Sequence, residues 1–306
     1  MSPTNRRSGR PYLPPSRTED TRSALRSRRR KIRSDAIEPI TLHANHHKPA
    51  TVGVVYLSFG QEYKALTILS LSFLRRFGYA GPVRVVTDSC NWNVGHLDCE
   101  LMLVPFRGMG FATRYYKTQI HQYAFDTTLY LDADTLPIAS IRPIWHELRS
   151  AKVCLPLDFH NDFQGSLSHV VQGCQSDPRE YRYMAKQRLL QHVFYNSDVI
   201  LFRRSSACDR LFETWHEEWN RFGLRDQLAL VRAVARTKSN VHILPPRWNG
   251  RLRSFGSIQK ALEFGMRILH LRPGIDVCAE SGSEMLLKSA LAGRFNRMPR
   301  ILSATR

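Results

Sequence analysis

The ten residues Thr127-Thr128-Leu129-Tyr130-Leu131-Asp132-Ala133-Asp134-Thr135-Leu136 constrain the fold more than any other part of the chain. They form a β-prone run that ends in two carboxylates separated by one residue. Successive side chains of a strand alternate faces, so a strand running through both would point Asp132 and Asp134 the same way. Two hard oxygen donors aimed at one point suit a divalent cation such as Mg²⁺ or Mn²⁺. An isolated Asp-x-Asp is more often a solvated turn or a helix cap. Here the pair follows the helix-like stretch Tyr115–Phe125 and a turn at Asp126, which together make a helix-to-strand unit. Charge at the end of a core strand is costly without a partner. In open parallel sheets, ligands bind beyond the carboxyl ends of the strands, which is where this pair falls.

The rest of the chain can supply such a sheet. Strands are expected near 52–58, 83–87, 100–104, 127–131, 152–156, 193–202 and 241–244. A helix from Glu62 places Tyr63, Leu66, Phe73, Leu74 and Phe77 on one side and stops at Gly78, a residue suited to a left-handed C-terminal cap. Two more helices are expected over Asp209–Arg221 and Arg225–Arg236. The first carries Trp215 and Trp219 one turn apart, read as core rather than as a sugar-stacking surface. Alternating β and α units imply an α/β fold, a single Rossmann-like domain whose mostly parallel mixed sheet is flanked by helices. A chain of 306 residues with 42% hydrophobic composition can bury one sizeable core.

Phosphatases of the haloacid-dehalogenase type also begin at a strand ending in Asp-x-Asp, but they place a hydroxyl residue two positions beyond the second acid. Thr135 follows Asp134 directly, and the chain has no Asp-Asp dipeptide for the later metal site of that class. The register argues against it.

Motifs spread over residues 50 to 275 instead resemble metal-dependent glycosyltransferases of the A-type fold, the family that contains glycogenin and the bacterial lipopolysaccharide galactosyltransferases. The resemblance is carried by Thr51–Gly60, Tyr63, the strand Val83–Asp88, Lys117 and Leu131–Thr135. It continues through Tyr195-Asn196-Ser197-Asp198-Val199, Asp226-Gln227, Pro246-Arg247-Trp248-Asn249 and Ile268-Leu269-His270. Two departures stand out. The family closes on His-x-x-Gly-x-x-Lys-Pro-Trp, whereas His270 is followed by Leu271-Arg272-Pro273-Gly274-Ile275. Asp198 occupies the place of a strand glycine and adds a side chain there.

The resemblance implies a transferase that moves a sugar from a nucleotide-sugar donor, expected to be a UDP-sugar, to an acceptor hydroxyl with retention. It implies Mn²⁺, or Mg²⁺, held by Asp132, Asp134 and His270, since a divalent cation stabilises the charge that develops on the leaving diphosphate. Leu57 and Ser58 at the first strand's end, with Tyr63 and Asp88, are expected to hold the base and ribose. Arg114, Lys117, Asp132, Ser197, Trp248, Asn249 and Arg272 complete the expected donor-binding set, with Arg272 as a substitute for the missing lysine element. Asp226, Gln227 and Asn196 are the expected catalytic residues, with Gln227 below the sugar ring. An inverting reaction would instead need a carboxylate base such as Asp198. Other classes that compete are a non-catalytic nucleotide-sugar-binding relative and a basic nucleic-acid-binding protein. Only charge supports the latter, because zinc-finger spacing and aromatic RNA-binding signatures are absent from the sequence.

The formal net charge is +19, unevenly spread. Residues 1–48 hold twelve Arg or Lys against four Asp or Glu, with Ser and Pro interleaved, and are expected to be a disordered basic tail. The transferase domain is then expected over 49–280. Residues 281–306 hold five Arg or Lys against one Glu, with Leu286, Leu287, Leu291 and Phe295 at partly helical spacing. Both ends have the chemistry for peripheral contact with an anionic membrane surface. No apolar run approaches the ~20 residues that cross a bilayer. The expectation is a cytoplasmic enzyme, able to sit at the membrane surface, whose acceptor is a glycan, a lipid-linked sugar or a protein. Six cysteines at 90, 99, 154, 174, 208 and 278 form no Cys-x-x-Cys pair and are expected to be reduced core residues.

Overall fold

The computed structural model describes residues 40–41, 52–92, 97–149, 151–158, 178–223 and 225–271, and the structural statements below concern these. Strand β1 is Ile40–Thr41 and β2 is Val52–Ser58, followed by helix α1 (Gly60–Arg76). Then come β3 (Val83–Thr87), β4 (Glu100–Leu103), α2 (Met109–Lys117), β5 (Thr127–Asp132), β6 (Thr135–Pro137) and β7 (Val153–Pro156). Helix α3 (Pro178–Lys186) precedes β8 (Val199–Arg203), α4 (Ser206–Phe222), α5 (Asp226–Thr237) and β9 (Val241–Leu244). The last elements are β10 (Gly250–Arg251), α6 (Leu252–Phe255), α7 (Ile258–Glu263) and β11 (Ile268–His270).

Strands β2 and β5 are apolar on both faces, so each needs cover from two sides, and they pair in parallel at the centre of the main sheet. Its eight strands run β1-β4-β3-β2-β5-β8-β7-β9. The β2–β3, β3–β4, β2–β5 and β7–β9 pairs are parallel, and the β1–β4, β5–β8 and β7–β8 pairs are antiparallel. The mixed, mostly parallel sheet read from the sequence is therefore observed. Alternation along the strands sorts the core into two layers. Val55, Leu57, Tyr130, Ile200 and Phe202 face Phe212, Trp215 and Trp219 of α4 and Leu230 of α5. Val54, Tyr56, Leu129, Leu131 and Leu201 face Ile68, Leu71 and Leu74 of α1 together with Ile144. Trp215 and Trp219 are fully buried, as expected.

A second sheet, β10-β11-β6, covers the other side of α1, where Leu66, Leu69 and Phe73 pack on Leu136, Ile138 and Leu269. None of its three short strands was expected from the sequence. Helix α1 ends as read. Gly78 adopts φ +82°, the left-handed region that glycine enters without steric penalty, and Tyr79 N–H donates to Leu74 O at 3.2 Å across the cap.

Three expectations need correction. The strand expected over 193–202 is regular only over Val199–Arg203; the segment before it meets the end of β7 through an isolated antiparallel bridge, Leu157 with Tyr195, with Asn196 N–H donating to Pro156 O and Asp158 N–H to Phe194 O, each at 2.9 Å. The helix expected over Tyr115–Phe125 is instead α2 followed by a 3₁₀ turn at Ile120–Tyr123. Thr118 N–H still donates to Arg114 O at 3.1 Å, but Gln119 N–H donates to Tyr116 O at 3.1 Å, three residues back instead of four, and the ladder tightens to 3₁₀ there. Third, Ile40–Thr41 pairs antiparallel with β4, so strand structure begins inside the 1–48 segment expected to be a tail. The rest of that segment, Arg272 and residues 281–306 lie outside the described residues. Among the described cysteines all are free, Cys154 and Cys208 buried and Cys90 exposed. No described helix is long and apolar enough to cross a membrane.

Candidate active site

Four chain segments meet at the carboxyl ends of β2 and β5. The pairing register sets Leu57 beside Asp132, and Ser58 beside Thr87, one residue before Asp88. Strand β5 stops at Asp132, and Ala133 and Asp134 form a turn rather than more strand. The two carboxylates are therefore brought near one another by a turn and not by strand alternation. Asp132 N–H donates to Asp198 O at 2.8 Å, which fixes the segment before β8 against the end of β5. After the turn, β6 pairs with β11 so that His270 lies opposite Thr135, and Leu271 N–H donates to Asp134 O at 2.7 Å. A histidine 136 positions downstream of Asp134 thus reaches it through the small sheet.

The charged side chains at this corner are closely partnered. Lys117 Nζ, at the end of α2, donates to Asp132 Oδ2 at 2.6 Å and to Ser197 Oγ at 3.3 Å, and lies 3.6 Å from Asp226 Oδ2 and 3.9 Å from Asp198 Oδ1. Ser197 Oγ donates to Asp226 Oδ2 at 2.9 Å, and Arg114 Nε lies 3.9 Å from the other Asp226 oxygen. The Tyr130 hydroxyl donates to Asp132 Oδ1. His270 bridges two carboxylates: Nδ1 bonds Asp198 Oδ2, and Nε2 lies 3.3 Å from Asp134 Oδ2.

Ionisation follows from burial and crowding. Burial lifts the Asp132 carboxyl well above its usual range; the Lys117 ammonium opposes this, and the Asp198 and Asp134 carboxylates reinforce it. Burial also acts against charge on Lys117, but Asp132, Asp226 and Asp198 outweigh it and keep the ammonium protonated. For Asp198, burial is overcome by His270 and Lys117, which hold it well below the carboxylate range. For His270, burial is overcome by Asp198 and Asp134, which hold the imidazole well above its ordinary value. The Tyr63 phenol is raised by burial and then by Asp134.

The donor set fits a divalent cation through two residues. Two ligand atoms at about 2.1 Å from one cation lie roughly 3 Å apart when at right angles, close to the 3.3 Å between Asp134 Oδ2 and His270 Nε2. With the Nδ1 hydrogen on Asp198, a neutral ring turns its Nε2 lone pair toward a carboxylate, so a proton or a cation belongs between them. The expected three-ligand set is not assembled, since Asp132 is turned to Lys117 and Tyr130. Among the described residues no group of three or more His, Cys, Asp or Glu side chains is arranged to hold a metal ion.

The other sequence-named residues divide by burial and partner. Asp226 opens α5 inside the cluster, and Gln227 Nε2 donates to Asp158 Oδ2 at 3.2 Å. Asn196 Oδ1 accepts from Asn249 Nδ2 and from the Asp198 N–H, each at 2.8 Å. Asp88 Oδ1 accepts from Gly60 N–H at 3.3 Å at the start of α1. Trp248, expected to bind the donor, is fully buried with its indole N–H donated to Glu147 Oε1 at 2.9 Å, so the fold uses it as core. Tyr130, Asp158 and Glu147 were missed. Tyr130 reads from sequence as one more apolar strand residue, and the partners of Asp158 and Glu147 lie 69 and 101 positions away.

No family model matches the sequence, and no curated protein does. Solved structures do match. The bifunctional glycosyltransferase WbbM, in its apo form, superposes over 77% of this chain at 14% identity with a TM-score of 0.51; this chain spans 48% of WbbM, about half its length. The galactosyltransferase LgtC, in complex with donor and acceptor sugar analogues, matches over 78% of this chain and 95% of its own at 14% identity and a TM-score of 0.51. An active-site variant of LgtC matches over 81% and 97%, at 14% identity and 0.52. These likenesses show the fold, which is that of the A-type glycosyltransferases.

Proposed function

We propose that this chain is a glycosyltransferase that uses a divalent cation, Mn²⁺ or Mg²⁺, and a nucleotide-sugar donor, a UDP-sugar, to glycosylate an acceptor hydroxyl with retention. The observation that carries this reading is the pairing of Asp134 with His270 beside the Lys117–Asp132–Asp226 cluster, at the strand ends where sheets of this type bind ligands. Asp134 and His270 are the residues that would hold the cation, which when bound would offset charge on the departing diphosphate.

The chain's own groups take the remaining roles. Leu57 and Ser58, with Tyr63 and Asp88, line the tip of β2 where the nucleoside is held. Lys117 and Arg114 are the cationic groups beside the cluster, suited to anionic oxygens and to the sugar hydroxyls that Asp226 would accept from. Gln227, fixed by Asp158, is set to face the anomeric centre. Asp198 does not serve as an inverting base in this reading, because both its oxygens face cations and it is held well below the carboxylate range. That supports retention.

A thermal-shift panel of nucleoside diphosphates and nucleotide sugars, with and without Mn²⁺, tests the proposal. Ligand at 100 times its Kd stabilises by about 2.7 kcal/mol, so UDP or a UDP-sugar with Mn²⁺ should raise the melting temperature while either alone does less. If no nucleotide changes the melt at any Mn²⁺ concentration, the proposal is wrong. Stabilisation without donor hydrolysis would identify a non-catalytic binder.

A further inference from the structure

Asp198 stands where the resembling family carries glycine, and the structure gives its side chain two partners. Oδ2 accepts from His270 Nδ1, and Oδ1 lies 3.9 Å from Lys117 Nζ. The residue is buried, and its backbone is held on both sides. Its N–H donates to Asn196 Oδ1 and its C=O accepts from Asp132 N–H, each at 2.8 Å. Asn196 Oδ1 also accepts from Asn249 Nδ2, so a chain of bonds runs from Asn249 near β10, through the segment before β8, to His270 on β11. A carboxylate held this firmly is a fixed acceptor rather than a swinging one.

An imidazole offers a cation one lone pair, and which nitrogen carries it depends on where the other nitrogen's hydrogen goes. In this site the hydrogen on Nδ1 goes to Asp198, so it is Nε2 that becomes the donor atom once a cation displaces its proton. Nε2 is also the nitrogen that faces Asp134 Oδ2, at 3.3 Å. Strand pairing places the His270 backbone opposite Thr135 but does not by itself choose the ring's rotation or tautomer. Glycine at 198 would leave that choice open.

We propose that Asp198 is a positioning residue, a carboxylate that fixes the tautomer and rotation of His270 so that Nε2 and the Asp134 carboxylate face one divalent cation together. This rests on the metal-dependent reading above. It also recasts Asn196 and Asn249 as the residues that hold Asp198 in place.

The test uses the full chain and its Asp198→Gly, Asp198→Asn and His270→Ala variants. Mn²⁺ is titrated calorimetrically, and ¹⁵N-histidine NMR of the metal-free proteins, taken up in pH until the His270 ring is neutral, reports the tautomer, with His270→Ala assigning the signal. Loss of an outer partner of a ligating histidine weakens metal binding by about 10- to 100-fold. That loss is expected for Asp198→Gly, with a His270 signal moved away from the Nδ1–H form. Asp198→Asn keeps an acceptor oxygen and should retain that tautomer and recover part of the affinity, and it stands in should the glycine variant not fold. Asp198→Gly in the His270→Ala background should cost no further affinity. Wild-type Mn²⁺ affinity together with a wild-type tautomer in Asp198→Gly would overturn the inference. Absence of Mn²⁺ binding by the wild-type protein would overturn the metal-dependent reading instead, and the tautomer signal would still report whether Asp198 governs His270.

Discussion

Two clusters of buried charge in this chain use similar residues to different ends. Between helices α3, α4 and α5, Arg232 bonds Glu180, Glu218 Oε2 at 3.1 Å and Glu218 O at 2.8 Å, while Arg221 and Arg236 approach Glu218 from the rim and Arg236 also bonds Glu217. Three arginines meet three glutamates, and all belong to one helical layer. At the strand tips, four carboxyl groups, Asp132, Asp134, Asp198 and Asp226, meet Lys117, His270 and the more exposed Arg114. The helical cluster is balanced and closed. The tip cluster crowds carboxyls at the end of a parallel sheet, which is the arrangement a divalent cation relieves. Buried pairing is common to both clusters; the tip cluster differs in its surplus of carboxyls, drawn from three segments of the chain.

The largest effect expected from breaking this comparison is in the helical cluster. Arg232→Ala leaves Glu180 and Glu218 buried without their cation, which costs about 3–5 kcal/mol and should lower the melting temperature by roughly 10 °C. Mn²⁺ should not restore it. Lys117→Met removes the corresponding cation at the tips, and there Mn²⁺ should recover part of the lost stability. Calorimetric melts of both variants with and without Mn²⁺ decide the matter; equal responses to the metal would erase the distinction.

Next in size is the loss of ligand binding. Asp134→Asn and Asp132→Asn should each weaken Mn²⁺-dependent UDP binding by at least about 100-fold, some 2.7 kcal/mol, while the fold survives because each removes one of several crowded carboxyls. Titration of UDP into metal-loaded variants measures this, and unchanged binding in both would remove the carboxylate pair from the site.

Smaller still is a pH effect away from both clusters. His216, whose Nδ1 bonds the Thr118 hydroxyl at 2.8 Å, is depressed by burial from 6.5 to about 4, and His121 is depressed too. A histidine with a lower pKa folded than unfolded takes its proton first in the unfolded chain. Stability from this pair should therefore be complete above pH 6.5 and decline as pH falls toward 4. Melting temperature against pH should flatten over that window in His216→Phe; a wild-type profile in the variant would exclude the histidine.

The smallest effect is expected from deleting residues 1–48. Among the described residues these contribute only the two-residue strand β1, so stability should change by no more than about 0.5 kcal/mol. Urea titration of the truncated chain checks this, and a much larger loss would make the segment part of the fold.

The α/β class, seven strands of the main sheet, helix α1 and its glycine cap, and the burial of Trp215 and Trp219 were legible in the sequence. Each depends on local periodicity, turn chemistry or composition, which neighbours in the chain carry between them. Asp132, Asp134, Lys117, Asp226 and His270 were legible too, through motif order and resemblance. Tertiary structure decided what each of them touches. The short strands β6, β10 and β11 have two or three residues each, too few for a periodic signal, yet their pairing is what carries His270 to Asp134. Trp248 shows the same limit in reverse, since a motif position expected to meet the donor is packed into the core by contacts made a hundred residues away. Sequence determined which residues could be charged, apolar or turning; only the fold, by closing long loops between them, determined that Asp198 would hold His270 and that Asp132 would be taken by Lys117.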